Sequence, residues 1–288
     1  MKITDVINKG GYSVSFEVFP PKTDASFESI REATEKIASL SPSFMSVTYG
    51  AGGGTSKYTL DIAKNIQGKY KIPTLAHLSC ISSTKEIVAE RIADLRNSGI
   101  KNIMALRGDI PEGEEGLVRD YRYAVDLVRE LRESGEDFCI GGACYPEVHP
   151  ESLDAQHDLM HLKEKADAGL DFLTTQMFFD NSFFYKFREN AERSGISLPI
   201  IPGVMPITGV AQVERAQKLS GCYMPRRFLS LVENFGSDPV AMKQAGIIYA
   251  TDQIIDLFAC GVSNVHIYTM NKPEVAEAIL KNLSGIIN

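Results

Sequence analysis

The chain has 288 residues, 44% hydrophobic and 23% charged, with a formal net charge of −7 and a sequence pI near 5.4. That length supports one large core, the composition excludes a disordered chain, and the acidic balance excludes a nucleic-acid partner gripped through its phosphates. No apolar run reaches transmembrane length and the amino terminus, with Asp5 and Lys9, lacks a signal-peptide core, so a cytoplasmic protein is expected.

In the first predicted strand, 13–19, Val14, Phe16 and Val18 share one face while Ser13, Ser15, Glu17 and Phe19 share the other. In a closed barrel the apolar face packs on helices and the mixed face enters the lumen, with Glu17 near the strand's carboxyl end. A carboxyl held among Phe16, Val18 and Phe19 has its ionised form disfavoured, which raises its pKa and suits a proton donor. A structural ion pair is the duller reading of the same residue.

Further strand-like runs follow at 44–49, 73–79, 101–106, 138–143, 171–176, 199–203 and 265–269, about eight with the first. Helical stretches separate them at 26–40, 56–70, 84–98, 120–134, 152–168, 182–194, 210–219 and 239–259, and a last one follows at 273–283. Gly99, Gly135, Gly169, Gly195 and Gly261 stand where several of these helices close. Strict alternation with short returns implies right-handed crossovers and a parallel sheet. The units run through the whole chain without a dinucleotide-binding glycine fingerprint near the start. A single-domain (β/α)8 TIM barrel, an α/β fold over residues 1–288, is therefore expected over an open doubly wound sheet.

The active site of such a barrel lies at the carboxyl ends of its strands. Those ends carry Glu17, Thr48, Tyr49, His77, Arg107, Asp109, Tyr145, His149, Gln176, Gly203, Asn271 and Lys272. The stretch from Gly50 to Lys57 resembles a phosphate loop only in its glycines, because Lys57 follows Thr55 and Ser56 instead of preceding them. It reads as a turn, or as backbone that can pass close to a flat ligand. His157 and His161 share a helix face at zinc-ligand spacing, but Asp158 stands between them and no third ligand follows, so no metal is expected. Asp158, His161 and Lys165 form a polar stripe that suits either a ribose and phosphates or a solvated surface. The guanidinium of Arg107 is available to a phosphate or to a local salt bridge across Gly108. Five scattered cysteines without paired spacing read as small buried hydrophobes in a reducing compartment.

Five motifs, in order along nearly the whole chain, resemble the methylenetetrahydrofolate reductase family. They are Ser15 to Lys22, Val47 to Gly53, Ala105 to Asp109, Tyr145 to Pro150 and Thr175 to Asp180. The resemblance implies a (β/α)8 flavoprotein that holds FAD and reduces methylenetetrahydrofolate, a cytoplasmic enzyme of one-carbon metabolism. Glu17 would protonate the folate's bridging nitrogen, and Asp109 would lie by flavin and pterin, favouring a cationic iminium. Thr48, Tyr49, Ala51, His77, Arg107, Gly108, Asp109, Tyr123, Ala124, Tyr145 and His149 would contact FAD, with Asp158, His161 and Lys165 reaching its ribose and phosphates. Gln176 and Gln212 would touch pterin or nicotinamide, and Lys272 would lie near the folate.

The chain departs from better-known bacterial relatives at Lys272, where they have arginine, and at Ala216, where they have a stacking aromatic. NAD(P)H is the implied electron donor, with electrons from a companion subunit left open, and a homo-oligomer is expected. The chain ends soon after the last predicted helix, so the regulatory domain of eukaryotic relatives is expected to be absent. Two other classes fit the same residues: a flavin-free pterin-binding methyltransferase barrel using Asp109 and Gln176, and a non-catalytic binding subunit. Colour and FAD uptake separate the first from a reductase, and a Glu17→Gln substitution separates the second.

Overall fold

The computed structural model describes the chain except for residue 22, residues 50–55, 111–112 and 114–118, and residue 288. Its strands are β1 (Ser13–Val18), β2 (Met45–Val47), β3 (Thr74–Ser79), β4 (Asn102–Leu106), β5 (Cys139–Cys144), β6 (Phe172–Thr175), β7 (Ile200–Ile201), β8 (Gly203–Val204) and β9 (Asn264–Tyr268). They form one sheet in the order β7-β6-β5-β4-β3-β2-β1-β9-β8, parallel throughout. β7 and β8 are two halves of one strand interrupted at Pro202, which has no N–H for the ladder. The first half pairs with β6, the second with β9, and the Pro202 carbonyl accepts from His266 N at 2.9 Å. The sheet thus closes as a (β/α)8 barrel, as expected.

Helices intervene as α1 (Ile3–Ile7), α2 (Phe27–Ala38), α3 (Ser56–Asn65), α4 (Lys85–Asn97), α5 (Ala124–Glu133), α6 (Ala155–Asp167), α7 (Asn181–Arg193), α8 (Val210–Ser220), α9 (Arg226–Phe235), α10 (Pro239–Ala259) and α11 (Pro273–Leu283). Two of them start later than the sequence suggests, for local reasons. Asp126 accepts from the Arg122 and Tyr123 amides, which fixes the start of α5. Asp154 accepts from Gln156 N and His157 N, which caps α6. Gly99, Gly135, Gly169, Gly195 and Gly261 all take positive φ just past a helix, as a C-terminal cap requires.

The alternation of β1 has the expected outcome. Val14, Phe16 and Val18 face outward into the main core with Ile37, Ile267 and Ala276. Below the lumen, α1 acts as a plug: Ile3 and Ile7 pack with Phe44, Leu75, Met104, Phe172 and Ile201. Its backbone is tied in by Ile3 N donating to Asn102 Oδ1 (2.9 Å) and Asn264 Nδ2 donating to Ile7 O (3.2 Å). Above, α9 sets Phe228 against Phe179 (5.0 Å between rings) in a second apolar cluster with Met177, Met205, Ala216 and Met242. Neither α1 nor α9 is expected from the sequence. Four of the cysteines are buried, but Cys260 is exposed, a correction to the reading of all five as buried. Among the described residues no helix is long and apolar enough to cross a membrane.

Candidate active site

Between the apolar plug and the strand mouths lies a cavity of about 940 Å³, near the upper end of the range for pockets that take an extended small molecule. It runs from Glu17 and His77 in the lumen, past Tyr145 and Gln176, to Asp158, His161 and Lys165 on α6. Thr48, Tyr49, Arg107, Gly108, Asp109, Tyr123, Ala124 and His149 also line it. Elements far apart in sequence therefore bring most of the expected residues together. Ala51 lies outside the described residues. Gln212 and Lys272 do not line the cavity and instead meet through Thr208, whose hydroxyl accepts from Lys272 Nζ (2.8 Å) and donates to Gln212 Oε1 (3.0 Å).

Glu17 sits at the inner end, its side chain 21% exposed onto the cavity. Among the described residues its carboxyl has no ionised partner, the basic groups beside it being His77 Nε2 at 3.6 Å and His266 Nε2 at 3.9 Å. Burial lowers the pKa of His77 to about 4 and that of His266 to about 3, so both are neutral near pH 7. Burial likewise pushes the Glu17 carboxyl up to about 7, and the Ser46 hydroxyl, 3.3 Å from Oε2, pulls the other way when it donates. Among the described residues no ionised basic group pairs with Glu17, which leaves an acid poised near neutrality.

The outer half of the cavity is built for polar and anionic groups. Lys165 reaches inward and donates from Nζ to Ala143 O at 2.5 Å, with burial lowering its pKa. Asp158 accepts from His149 N (3.2 Å) and Ser152 Oγ (3.0 Å), which binds the loop after β5 to α6. Tyr145 stacks edge-on against His149 at 4.5 Å. Asp158 and Lys165 therefore serve the barrel mouth, while His161 is exposed beside Tyr123, their rings 6.4 Å apart. His157 is held by Asp154 at 3.0 Å, away from any zinc-like pairing with His161. Among the described residues no cluster of three or more His, Cys, Asp or Glu side chains could hold a metal.

Arg107 pairs with Glu151 through both terminal guanidinium nitrogens (2.5 and 2.7 Å), not with Asp109. Gly108 between them takes φ +86, and a Cβ there would come 3.1 Å from Ser79 Cβ. Glycine is needed for this turn to direct Arg107 toward the α6 side while Asp109 stands exposed at the rim. Two buried polar atoms facing the cavity, His77 Nε2 and Thr174 Oγ1, have no hydrogen-bond partner among the described residues. Unsatisfied buried polar groups are costly, and a bound polar ligand would relieve them.

The sequence reading missed His266. Strand alternation held the signal: Val265 and Ile267 face the outer core, so His266 and Tyr268 must face the lumen.

Comparison with known proteins places this geometry. The family model described as Methylenetetrahydrofolate reductase matches residues 2–284. A 5,10-methylenetetrahydrofolate reductase of Pectobacterium carotovorum is 38% identical over 275 residues, covering 96% of this chain and 91% of that protein. Methylenetetrahydrofolate reductase (NADH) 1 of Arabidopsis thaliana is 36% identical over 300 residues, covering 100% of this chain but 50% of that protein. Among solved structures, one described as an uncharacterized protein from Clostridium thermocellum that binds two copies of 5-methyl-5,6,7,8-tetrahydrofolic acid shares the fold. Its TM-score is 0.66 at 15% identity, with both chains covered fully.

Proposed function

The chain belongs to the methylenetetrahydrofolate reductase family, and from that premise we propose that it carries out the FAD-dependent reduction of 5,10-methylenetetrahydrofolate to 5-methyltetrahydrofolate. Electrons come from NAD(P)H or from a partner donor. The observation that carries the proposal is Glu17: a carboxyl with a pKa near 7, without an ionic partner, at the inner end of a cavity long enough for an extended cofactor.

The residues present fit a flavin dinucleotide. Among the described residues His77 Nε2 and Thr174 Oγ1 are unpartnered beside the inner cavity, and the half-buried ammonium of Lys165 has no carboxylate bound to it. Thr48, Tyr49, His77, Arg107, Gly108, Tyr123, Ala124, Tyr145 and His149 would hold FAD, with Asp158, His161 and Lys165 toward its ribose and phosphates. When bound, the flavin supplies two-electron chemistry, taking a hydride from the nicotinamide and delivering one to the folate in alternation.

The protein's own groups do the proton work. Glu17 in its protonated form donates to the folate's bridging nitrogen, which opens the imidazolidine ring to a methylene iminium. The carboxylate left behind is tolerated because Ser46 Oγ lies 3.3 Å from Glu17 Oε2 and can donate to it. Asp109, exposed at the cavity rim, places a carboxylate where positive charge develops on the folate. Gln176 and Tyr145 offer amide and hydroxyl contacts to a pterin or nicotinamide ring. The Thr208, Gln212 and Lys272 cluster, just off the cavity, supplies a cation for the folate's carboxylate tail. Ala216 lines the cavity without a ring, so stacking on that side is weaker than in relatives with an aromatic there.

The test is an absorbance spectrum of protein reconstituted with FAD, followed by anaerobic mixing with NADH and NADPH, then with methylenetetrahydrofolate. The flavin bands should appear, bleach with one nicotinamide, and return with formation of 5-methyltetrahydrofolate. A protein that stays colourless and takes up no FAD would overturn the proposal and favour the flavin-free methyltransferase.

A further inference from the structure

Beneath Glu17 runs a buried chain of hydrogen bonds, of which the reaction as described uses only the Ser46 end. Ser15 Oγ lies 3.1 Å from Val265 O and 2.8 Å from His266 Nδ1, and His266 Nε2 lies 2.9 Å from Ser46 Oγ. Ser46 Oγ in turn lies 3.3 Å from Glu17 Oε2. Ser15, Ser46 and His266 are each no more than 1% exposed and so are shielded from bulk water.

Requiring all four contacts to be hydrogen bonds at once assigns the hydrogens. A carbonyl only accepts, so the single hydroxyl hydrogen of Ser15 goes to Val265 O. The 2.8 Å contact to His266 is then a hydrogen bond only if Nδ1 carries the ring's hydrogen. A neutral imidazole has one N–H, which leaves Nε2 as an acceptor. Ser46 therefore gives its hydrogen to Nε2, which can only accept, and shows Glu17 only lone pairs. All four contacts are hydrogen bonds at once only when Glu17 carries the proton.

We propose that His266 is a positioning residue for the proton donor: its Nδ1–H tautomer, set by Ser15 and Val265, turns the Ser46 hydroxyl away from Glu17 and keeps Glu17 protonated until the substrate takes the proton. This rests on the reading of Glu17 as the acid. The opposite tautomer would invert the chain, with Nε2–H donating to Ser46 and Ser46 donating to the carboxylate, and would favour the ionised form. Among the described residues, the titratable groups facing this chain are His77 from β3 and Tyr268 from β9. His77 is neutral near pH 7, and the Tyr268 hydroxyl is committed to Thr175 O at 2.5 Å. Phe44 stacks on the His266 ring at 5.4 Å and holds its orientation.

Two measurements on the FAD-free protein test the proposal. Imidazole ¹⁵N spectra, with five histidines in all and His266 identified by its loss in His266→Phe, should show a neutral Nδ1–H tautomer from pH 6 to 8. Carboxyl ¹³C titration of Glu17 should show its midpoint falling by about one pH unit in Ser15→Ala, where the hold on the tautomer is released. Ser15 does not touch the Glu17 carboxyl, so a merely structural role for the chain would leave that midpoint in place. His266→Phe should move it the same way. An Nε2–H tautomer in the wild type, or an unmoved Glu17 midpoint in Ser15→Ala, would overturn the proposal. Neither measurement depends on turnover, so a protein that failed to reduce folate would refute the function and leave this test standing.

Discussion

Keeping Glu17 ready to donate a proton should cost stability, and the cost should depend on pH. Its pKa moves from 4.5 to about 7 on folding, a difference of 2.5 units or about 3 kcal/mol between the two protonation states. Because the folded value lies above the unfolded one, the folded protein binds the extra proton. Stability from this group is fully present below pH 4.5 and is lost as the pH climbs through about 7. At pH 5 the loss is about 1 kcal/mol, and by pH 8.5 it reaches about 3 kcal/mol. Glu17→Gln keeps the shape and removes the titration, so the variant should match the wild type at pH 5 to within about 2 °C. At pH 8.5 it should melt about 5 °C higher, taking an unfolding entropy of about 600 cal/mol/K for a chain of 288 residues. Calorimetry of the FAD-free proteins at the two pH values reads this directly. A variant that is equally stable at pH 8.5, or less stable, would mean that Glu17 is not held protonated by burial.

Other consequences concern the frame around the site. Ile3→Ala opens a hole in the plug under the lumen and should cost about 2–5 kcal/mol in urea unfolding, although Ile3 lies in a short terminal helix. Gly203→Ala would drive a Cβ into both Thr175 O and the Tyr268 hydroxyl, and should lower the unfolding free energy by about 1–3 kcal/mol. Lys165→Met removes a half-buried cation that, among the described residues, bonds the Ala143 carbonyl. The FAD-free protein should keep its stability, while FAD affinity measured by fluorescence quenching should fall about ten- to a hundredfold.

Most of the frame was legible because each strand carries its own alternation and most helices carry their own caps. β1 shows this best: Val14, Phe16 and Val18 face outward and Glu17 faces the cavity, as the alternation implies, although the strand ends before Phe19. What was hidden has physical causes. The five residues of α1 are too few to display a helical period, and its burial depends on the open lower end of a barrel that only the assembled fold creates. The missed α9 did carry a signal, with Pro225 at its start and Phe228, Val232 and Phe235 on one face, but it stands outside the regular strand-and-helix alternation. The break at Pro202 is a pairing effect, visible only once β6 and β9 lie on either side. In the site, the residues at strand ends converge as the barrel rule requires. The exchange of partners that gives Arg107 to Glu151 depends on a loop path no spacing encodes. His266 was readable from alternation, yet its partners Ser15 and Ser46 lie on other strands and declare themselves only in three dimensions.

The central claim is that Glu17 hands a proton to the folate and takes no part in flavin reduction. Rapid mixing of FAD-loaded Glu17→Gln isolates the two halves. Reduction of the flavin by its nicotinamide should proceed at close to the wild-type rate, and reoxidation by methylenetetrahydrofolate should slow by about a hundred- to ten-thousandfold. Equal slowing of both halves, or none in the second, would contradict the account.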